Sequence, residues 1–557
     1  LIERRKIMEI TIRDFDKITV EEPIALKKLA QKYQQEFASP IIAAIVDGEL
    51  RELNHVIKKD CSVEFVDMST DVGMEIYIRS LTFLFIKACH DVIYDCQVRV
   101  EHSLGDGLYS EIIAKEPIDE EDVEAIESRM SQLVEADIPI NKYEMTLPDA
   151  IEMFKEAGMD DKVRLLKYRK EKFINIYELD GMKDYFYGYM VPSTGYLRWF
   201  KLRFYLPGII LQHPNKTNPT SLAPYKEQPK LAGIFRESNR WAQILGIPDV
   251  GALNDQIVAG KSGQIIRIAE ALHEKKIAQI ADMIYKDSDH LRIILIAGPS
   301  SSGKTTFAQR LIVQLMVNGL RPISISLDDY FLDRDKTPLG EDGKPNFEAL
   351  EAIDLKLFNQ HLAKLIQGKE VILPRFNFQT GKREYQESAT RIEKDQPIII
   401  EGIHGLNEKL TSSIPKENKF KIYVSALTQI NLDNHNRIST TDTRLLRRIV
   451  RDSRCRGADA KRTIAIWPSV MKGAQENIFV YQEEADVMFN SALVYEISVL
   501  KKYATPLLQE IKPPDPEYIE ANHLLKFLEY FEPIEDETEI PLTSIIREFI
   551  GNSCFHE

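Results

Sequence analysis

One octapeptide constrains the fold of this chain more than any other feature. Residues 298–305 read GPSSSGKT, with the spacing G-x-x-x-x-G-K-[ST], directly after the apolar run RIILIA. Gly298 and Gly303 let the backbone curl so that its N–H groups point inward at phosphate oxygens. The Lys304 ammonium adds a positive charge for β- and γ-phosphates, and the Thr305 hydroxyl can bind Mg²⁺. The segment therefore predicts a strand, a phosphate-binding loop and a helix. The residues expected to bind the nucleotide are Gly298, Pro299, Ser300, Ser301, Ser302, Gly303, Lys304, Thr305 and Thr306.

The composition indicates an acidic globular protein of several domains. The 557 residues leave room for roughly three or four domains. A net charge of −14 argues against broad electrostatic binding of nucleic acid, although a local basic patch remains compatible with it. Five scattered cysteines without a C-x-x-C pair indicate reduced thiols, so we expect a cytoplasmic protein. No apolar stretch approaches the roughly 18 residues of a membrane span, and the charged start without an apolar core predicts no signal peptide.

Hydrophobic periodicity divides the chain into five predicted regions. MEITIRDF and IIAAIVDGELREL alternate like strands, whereas EEDVEAIESRMSQLVEA has helical spacing. A segment rich in Pro, Asn and Thr at 207–230 indicates a domain boundary. The predicted regions are a β-rich unit at 1–70, an α+β unit at 71–225, a helical connector at 226–289, an α/β domain at 290–500 and a helical tail at 501–557.

Strands and helices alternate in the α/β region. The predicted strands are RIILIA, PISISL, EVILP, PIIIEG and FKIYVSA. This rhythm predicts a doubly wound parallel sheet with helices on both faces.

Two acids stand at predicted strand ends. PISISL runs into Asp328, and an acid at that position would lie beside the phosphate loop. There it could accept a hydroxyl proton or hold Mg²⁺ through water, although a simple strand-end turn would also favour Asp. PIIIEG ends in Glu401, which suits a Walker-B-type carboxylate near the metal because an apolar run precedes the acid.

A cluster of arginines follows in DTRLLRRIVRDSRCRG. Four of them have the spacing i, i+3, i+4, i+7 and share one helix face. Such a concentration in an acidic protein suggests phosphate contact through a basic lid. A solvated or salt-bridged helix face and RNA binding are the alternatives. The four are Arg444, Arg447, Arg448 and Arg451.

These motifs together resemble the uridine kinase and phosphoribulokinase family of P-loop kinases. GPSSSGKTTFA, SLDDYF, NFEALEAIDLKLF, PRFNF, IIIEGIHGL and RLLRRIVRDSRCRG occur in the order typical of that family. The resemblance implies ATP and Mg²⁺ as cofactors and Asp328 as catalytic base. It implies metal binding by Thr305, Glu401 and Asp328, and catalytic or lid roles for Lys304, Arg448, Arg451 and Arg456.

The resemblance also predicts an acceptor pocket. Glu348 or Glu351 stands where uridine kinases have an acid for the nucleoside. We expect Tyr330, Glu348, Glu351 and Phe376 to contact the substrate. The positions that read the pyrimidine in uridine kinases are occupied by Phe376, Gly381, Ala458 and Ile466, so uracil-specific hydrogen bonds are not expected.

The first half resembles two other modules. Residues 8–70 resemble the TGS domain, a ubiquitin-like β-grasp fold, and residues 71–205 resemble the editing domain of threonyl-tRNA synthetase, most clearly in DYFYGYMVPSTGYLRWFKL. The synthetase carries two Cys/His positions in this segment and an HxxxH pair upstream. This chain has Phe186, Met190, Arg79 and Phe83 there. The resemblance therefore implies neither zinc nor editing hydrolysis, and the whole arrangement resembles a bacterial class of uridine kinase-like proteins.

The sequence thus predicts an ATP-dependent kinase of a small hydroxyl compound, with a nucleoside as acceptor. A kinase of a sugar phosphate or another non-nucleoside alcohol is one alternative. The other is a nucleotide-gated regulatory protein associated with RNA or the ribosome, whose first half contacts RNA. Retention of Asp328, Glu401 and the arginines argues against this second alternative, because a sensor needs no acceptor-activating base.

Overall fold

The computed structural model describes residues 8–340, 343, 345–377, 380–393 and 396–555. Residues 1–7, where no signal peptide is expected, lie outside this set. Of the helices in the described part of the chain, none has the length and apolar character to cross a bilayer.

The N-terminal region is a five-stranded sheet with one packed helix. Its elements are β1 (Met8–Ile12), β2 (Lys17–Val20), β3 (Ile24–Ala25), α1 (Leu26–Tyr33), β4 (Ile41–Val46), β5 (Glu49–Glu52), β6 (Val56–Ile57) and β7 (Cys61–Asp67). The sheet order is β2–β1–β7–β4–β5, with β1 and β7 parallel. Asp47 and Gly48 join β4 to β5 with φ angles of 50° and 84°, as a tight hairpin turn requires.

The second region combines two sheets with four helices. Its elements are α2 (Asp71–Val92), β8 (Gln97–Ser103), β9 (Gly107–Ile113), α3 (Glu120–Glu135), β10 (Ile140–Thr146), α4 (Leu147–Glu156), α5 (Asp160–Leu166), β11 (Phe173–Leu179), β12 (Met182–Asp184), β13 (Lys201–Tyr205) and β14 (Gly208–Gln212). The sheet orders are β10–β11–β12 and β13–β14–β9–β8. The helix predicted from EEDVEAIESRM is α3, which begins at a capping box between Asp119 and Asp122.

Three helices lead into the C-terminal sheet, which is parallel throughout. The helices are α6 (Pro229–Leu245), α7 (Val250–Val258) and α8 (Ser262–Lys286). The elements that follow are β15 (Ile293–Ala297), α9 (Lys304–Val317), β16 (Ile323–Ser326), α10 (Leu355–Ile366), β17 (Pro374–Asn377), β18 (Lys382–Tyr385), β19 (Ile398–Glu401), β20 (Lys419–Ser425), α11 (Thr440–Cys455), α12 (Ala460–Asn477), β21 (Val487–Asn490), α13 (Glu496–Gln509), α14 (Tyr518–Leu528) and α15 (Arg547–Ile550). The sheet order is β16–β19–β15–β20–β21.

The central strand β15 is buried on both faces. Ile294 and Ile296 pack in the cluster that contains Phe307 of α9. Ile293 and Leu295 point the other way and pack with Phe358 of α10. Alternate residues of one strand thus contact helices on opposite sides. The predicted doubly wound α/β fold is confirmed.

Two details of the predicted organisation differ from the structure. EVILP is not a strand of the parallel sheet: Val371 makes only an isolated bridge with Thr390, and the strand begins at Pro374 and pairs with β18 in a separate hairpin. A short apolar run fits a buried irregular segment as well as a strand. The predicted boundary at 207–230 begins too early, because residues 208–212 form the buried strand β14.

Candidate active site

The phosphate loop joins β15 to α9 in the conformation that its glycines predict. Gly303 has φ 82°, in the left-handed region that favours glycine. A Cβ on Gly298 would lie 1.9 Å from the Val424 carbonyl oxygen, so only glycine fits against β20. Lys304 is half-buried and its Nζ donates to the Pro299 carbonyl at 3.3 Å. The Thr305 side chain is exposed at the first turn of α9.

Three arginines of α11 donate hydrogen bonds to oxygens of this loop. Arg444 Nε donates to the Ser300 carbonyl at 3.0 Å, and Arg448 Nη1 donates to Ser300 Oγ at 2.9 Å. Arg447 Nη1 donates to the Ser301 carbonyl at 3.3 Å. Three guanidinium groups therefore contact oxygens of the loop and hold its backbone in place.

Arg447 is anchored by a buried ion pair. Its Nη2 lies 2.6 Å from Glu496 Oε2, and both side chains are almost inaccessible to solvent. Ser491 Oγ accepts from Arg447 at 3.2 Å and donates to the Ser302 carbonyl at 2.5 Å. The ion pair therefore links α11, α13 and the phosphate loop.

This placement corrects the prediction of four arginines on a lid. Arg444 and Arg447 are buried and support the loop, because the carbonyl oxygens that accept from them belong to Ser300 and Ser301 of the loop itself. Arg451 is also buried and pairs with Asp452 at 2.7 Å. Arg456 is exposed at the end of α11, 3.8 Å from Asp452. Of the proposed lid residues, Arg456 is exposed, and Arg448 is half-buried at the loop.

Two acids meet at the carboxyl edge of the sheet, as the sequence predicts. Glu401, the last residue of β19, pairs in register with Ile296 and Ser326 of the neighbouring strands. Ser326 Oγ donates to Glu401 Oε1 at 2.9 Å. Burial and the Asp328 carboxylate raise the pKa of Glu401, whereas Lys304 lowers it. Asp328, Glu401 and the loop lysine therefore share one electrostatic site.

Asp328 and Asp329 have different surroundings. The Asp329 carboxylate accepts from the Phe376 N–H at 3.1 Å, and burial raises its pKa. Within the described residues, the half-buried Asp328 carboxylate makes no hydrogen bond or ion pair. Asp329 therefore contacts the β17 hairpin, whereas the Asp328 carboxylate has no comparable contact in the described part of the chain.

The predicted acceptor residues divide into two groups. Glu348 is half-buried in the site: burial raises its pKa, Asp328 raises it further, and Arg448 and Lys304 lower it. Glu351 is exposed. Tyr330, which was expected to contact substrate, is buried in the core and its hydroxyl lies 3.1 Å from His361 Nδ1. The short 3₁₀-helix at Leu327–Tyr330 turns this side chain away from Asp328.

The four residues that stand where uridine kinases have pyrimidine-binding side chains lie on separate elements. Phe376 is buried on β17, with its ring centroid 5.8 Å from that of Phe331. Gly381 lies in the β17–β18 hairpin with φ 69°. Ala458 lies between α11 and α12, and the Ile466 side chain is partly exposed on α12. None of these four side chains carries a polar group.

Sequence reasoning missed a third acid at the loop. Glu548 Oε2 accepts from the Thr306 backbone N–H at 3.3 Å and from Thr306 Oγ1 at 2.8 Å. It lies 242 residues away along the chain, and no local pattern marks it. Ser491 and Glu496 were missed for the same reason.

In the first half, three of the four positions aligned with the ligand and catalytic residues of the synthetase are buried, and Arg79 is half-buried. The Phe83 and Phe186 ring centroids are 5.0 Å apart, and both side chains are buried together with Met190. Arg79 Nη1 donates to the Tyr189 carbonyl at 3.1 Å. Apolar packing and one backbone hydrogen bond thus occupy these positions.

Comparison with known proteins agrees with this division of the chain. The N-terminal half is similar to threonine–tRNA ligases. That of Hahella chejuensis is 29% identical over 194 residues, and that of Halorhodospira halophila is 30% identical over 194 residues. Each match covers 35% of this chain and 30% of the relative, so the chain spans less than a third of these relatives.

The C-terminal region matches a family of kinases. A solved structure described as a possible uridine kinase from Bacillus stearothermophilus is 18% identical, covers 38% of this chain and 97% of its own chain, and has a TM-score of 0.26. Residues 293–498 match the model of the Phosphoribulokinase / Uridine kinase family. The C-terminal part of this chain therefore contains a domain of the phosphoribulokinase and uridine kinase family.

Proposed function

We propose that this protein is an ATP-dependent kinase that transfers the γ-phosphoryl group to a hydroxyl of a small molecule, with a nucleoside as acceptor. The observation that carries the proposal is the Asp328 carboxylate, which has no bonding partner in the described residues and shares a site with Lys304. A phosphate loop alone would serve a sensor equally well. An unpaired carboxylate beside it suits proton transfer from an acceptor.

The residues divide the reaction between them. The Asp328 carboxylate takes the proton of the acceptor hydroxyl while the acceptor oxygen bonds to the γ-phosphorus and the bond to the ADP oxygen breaks. The loop N–H groups and Lys304 stabilise the charge on the phosphoryl oxygens. Arg448 contacts Ser300 of the loop, and Arg456 at the end of α11 interacts electrostatically with Asp328, so both can supply further positive charge.

The residues present fit a magnesium ion as well as a nucleotide. The exposed Thr305 hydroxyl, the Glu401 carboxylate and Asp328 supply hard oxygen donors at the loop, the type that Mg²⁺ prefers beside substrate phosphates. When bound, the ion would neutralise charge on the β- and γ-phosphates. Glu401 also keeps Ser326 oriented through their hydrogen bond.

The charge of the acceptor site favours a neutral substrate. The Asp328 carboxylate lies close enough to Glu348 to raise the pKa of Glu348. A sugar phosphate would place further negative charge beside two carboxylates, which costs free energy in a half-buried site. A nucleoside offers a hydroxyl without that charge, and the Glu348 carboxylate can accept hydrogen bonds from its ribose.

A phosphoryl-transfer screen tests this proposal. Purified protein with ATP and Mg²⁺ should phosphorylate at least one nucleoside in a panel of nucleosides, sugars and sugar phosphates. The Lys304→Ala variant is the control for a contaminating kinase. Transfer only to a sugar phosphate would contradict the nucleoside assignment, and nucleotide binding without transfer to any acceptor would contradict the kinase.

A further inference from the structure

The C-terminal segment, residues 537–551, lies against the phosphate loop. A Cβ on Gly303 would lie 2.5 Å from Ile545 Cγ2, so the isoleucine methyl touches the loop glycine. Ile545 and Phe549 are fully buried and belong to the same apolar cluster as Phe307 of α9. The Arg447 guanidinium lies 4.9 Å from the Phe549 ring centroid. The segment is therefore packed against the loop and into the apolar cluster that contains Phe307.

This packing brings a carboxylate to the donors of the loop. One Glu548 oxygen accepts from both the Thr306 N–H and the Thr306 hydroxyl, at 3.3 and 2.8 Å. Thr306 belongs to the first turn of α9, whose free N–H groups and positive dipole end attract anions. The carboxylate oxygen thus makes the contacts that a phosphate oxygen would make at the same donors.

Several contacts hold the segment in this position. Arg454 donates to the carbonyls of Phe549 and Glu548 at 3.2 and 3.0 Å. Ser544 Oγ donates to Glu270 Oε1 at 2.5 Å, and Arg547 Nη1 lies 3.2 Å from Glu537 Oε2. The backbone on both sides of Glu548 is therefore fixed. Only the half-buried Glu548 side chain needs to turn for the donors of Thr306 to become free.

Electrostatics oppose a nucleotide and this carboxylate at the same time. Glu548 lies close enough to Glu401 to raise the pKa of that residue. A polyphosphate bound at the loop would lie beside the Glu548 carboxylate, because that carboxylate already occupies the Thr306 donors that the phosphate would use. Two anions that share one pair of donors repel each other strongly in a partly buried site.

We propose that Glu548 is an internal competitor of nucleotide phosphate, so that the C-terminal segment sets the nucleotide affinity of the loop. Nucleotide binding then requires the Glu548 side chain to leave Thr306. The proposal rests on the proposed function only in that the phosphate loop binds a nucleotide. A simple helix cap is the competing explanation, because an acid at a helix N-terminus also stabilises the helix.

Nucleotide titration of the full chain separates the two explanations. The Glu548→Gln variant keeps the side-chain shape and removes the charge. We expect it to bind ATP with Mg²⁺ about tenfold more tightly than the unmodified protein, the scale of one charge-assisted hydrogen bond. The matched control is Glu539→Gln, which removes an acid of the same segment that pairs with Arg267 at 2.6 Å and should leave the affinity unchanged.

A second variant keeps the test decisive if Glu548→Gln does not fold. Glu548→Asp retains the charge but shortens the reach to Thr306, so it should also bind ATP more tightly, by a smaller factor. Unchanged or weaker ATP binding in the folded variants would overturn the competitor and leave the helix cap. That outcome is distinct from failure of the proposed function, in which ATP binds and no acceptor is phosphorylated.

Discussion

Two regions of this molecule resemble sites of known enzymes, and they differ in the side chains that occupy those sites. At the phosphate loop, Asp328 makes no hydrogen bond or ion pair within the described residues, while Arg444 and Arg447 hold the loop from below. In the first half, Phe83 and Phe186 pack ring against ring. One region keeps an accessible polar group, and in the other two of the aligned positions hold packed aromatic rings.

A site that binds a ligand differs from a packed one in the polar groups that it leaves accessible. A half-buried carboxylate without a protein partner keeps its acceptor oxygens accessible to a ligand or to water. Buried aromatic rings lower the free energy of folding and offer nothing to a substrate. Asp328 leaves such oxygens accessible at the loop, whereas the buried rings of Phe83 and Phe186 carry none.

The largest effect should come from Lys304. Lys304→Ala should lower phosphoryl transfer by roughly 10³-fold or more, because a charge on the transferring phosphoryl group is worth that much. The fold should remain intact, since Lys304 is half-buried and, among the residues that the structure describes, its side chain donates only to the Pro299 carbonyl. Turnover and circular dichroism measure the two parts. Normal turnover in a folded variant would show that chemistry does not occur at this loop.

The buried support of the loop should affect stability. Arg447→Met leaves Glu496 charged and unpaired, which should destabilise the protein by about 3–5 kcal/mol. Chemical denaturation measures this loss. The exposed Arg462 of the neighbouring helix provides the control, because Arg462→Met should change stability by less than about 0.5 kcal/mol. Equal stabilities of the two variants would show that the buried pair of Arg447 with Glu496 does not stabilise the protein.

Acceptor choice should show a moderate effect. Phe376, Gly381, Ala458 and Ile466 offer no side-chain donors or acceptors to a pyrimidine. A mainly apolar pocket distinguishes related substrates by about 10²-fold at most. Uridine should therefore not exceed the best competing acceptor by more than that factor in kcat/KM. Competition among uridine, cytidine, inosine, adenosine and sugars measures the ratio, and a preference of about 10⁴ would mean that other residues read the base.

The first-half site should bind no metal ion. Phe186, Met190, Arg79 and Phe83 include no good zinc ligand. The purified protein should therefore contain no stoichiometric zinc, and a zinc chelator should leave its unfolding temperature unchanged. Elemental analysis with about one zinc per chain would make the first half a metal site and end the contrast between the two regions.

Local patterns made much of the loop region predictable from the sequence. Glycine spacing predicted the loop, and strand-end acids predicted Asp328 and Glu401, because parallel strands end at a common edge. The burial of Arg447 and the contact of Glu548 with Thr306 depend on partners that are far apart in sequence. No periodicity carries that information. Tyr330 was misplaced because a 3₁₀-turn, rather than an extended strand end, follows Ser326.

The first half illustrates the opposite case. The residue types at Phe83 and Phe186 predicted a site without metal ligands, and the structure fills it with packed rings. The early boundary at 207–230 arose because proline and asparagine flank the buried strand β14. Composition averages over a window and does not resolve a buried strand of five residues within it.

The most direct test of the central claim compares two adjacent acids in one assay. Single-turnover phosphoryl transfer should fall by roughly 10²-fold or more in Asp328→Asn, the scale of a lost general base, with ATP binding retained. Asp329→Asn should retain most activity, because an asparagine oxygen can still accept from the Phe376 N–H. Loss of activity in Asp329→Asn together with normal activity in Asp328→Asn would contradict this assignment and show that Asp329, rather than Asp328, is the base.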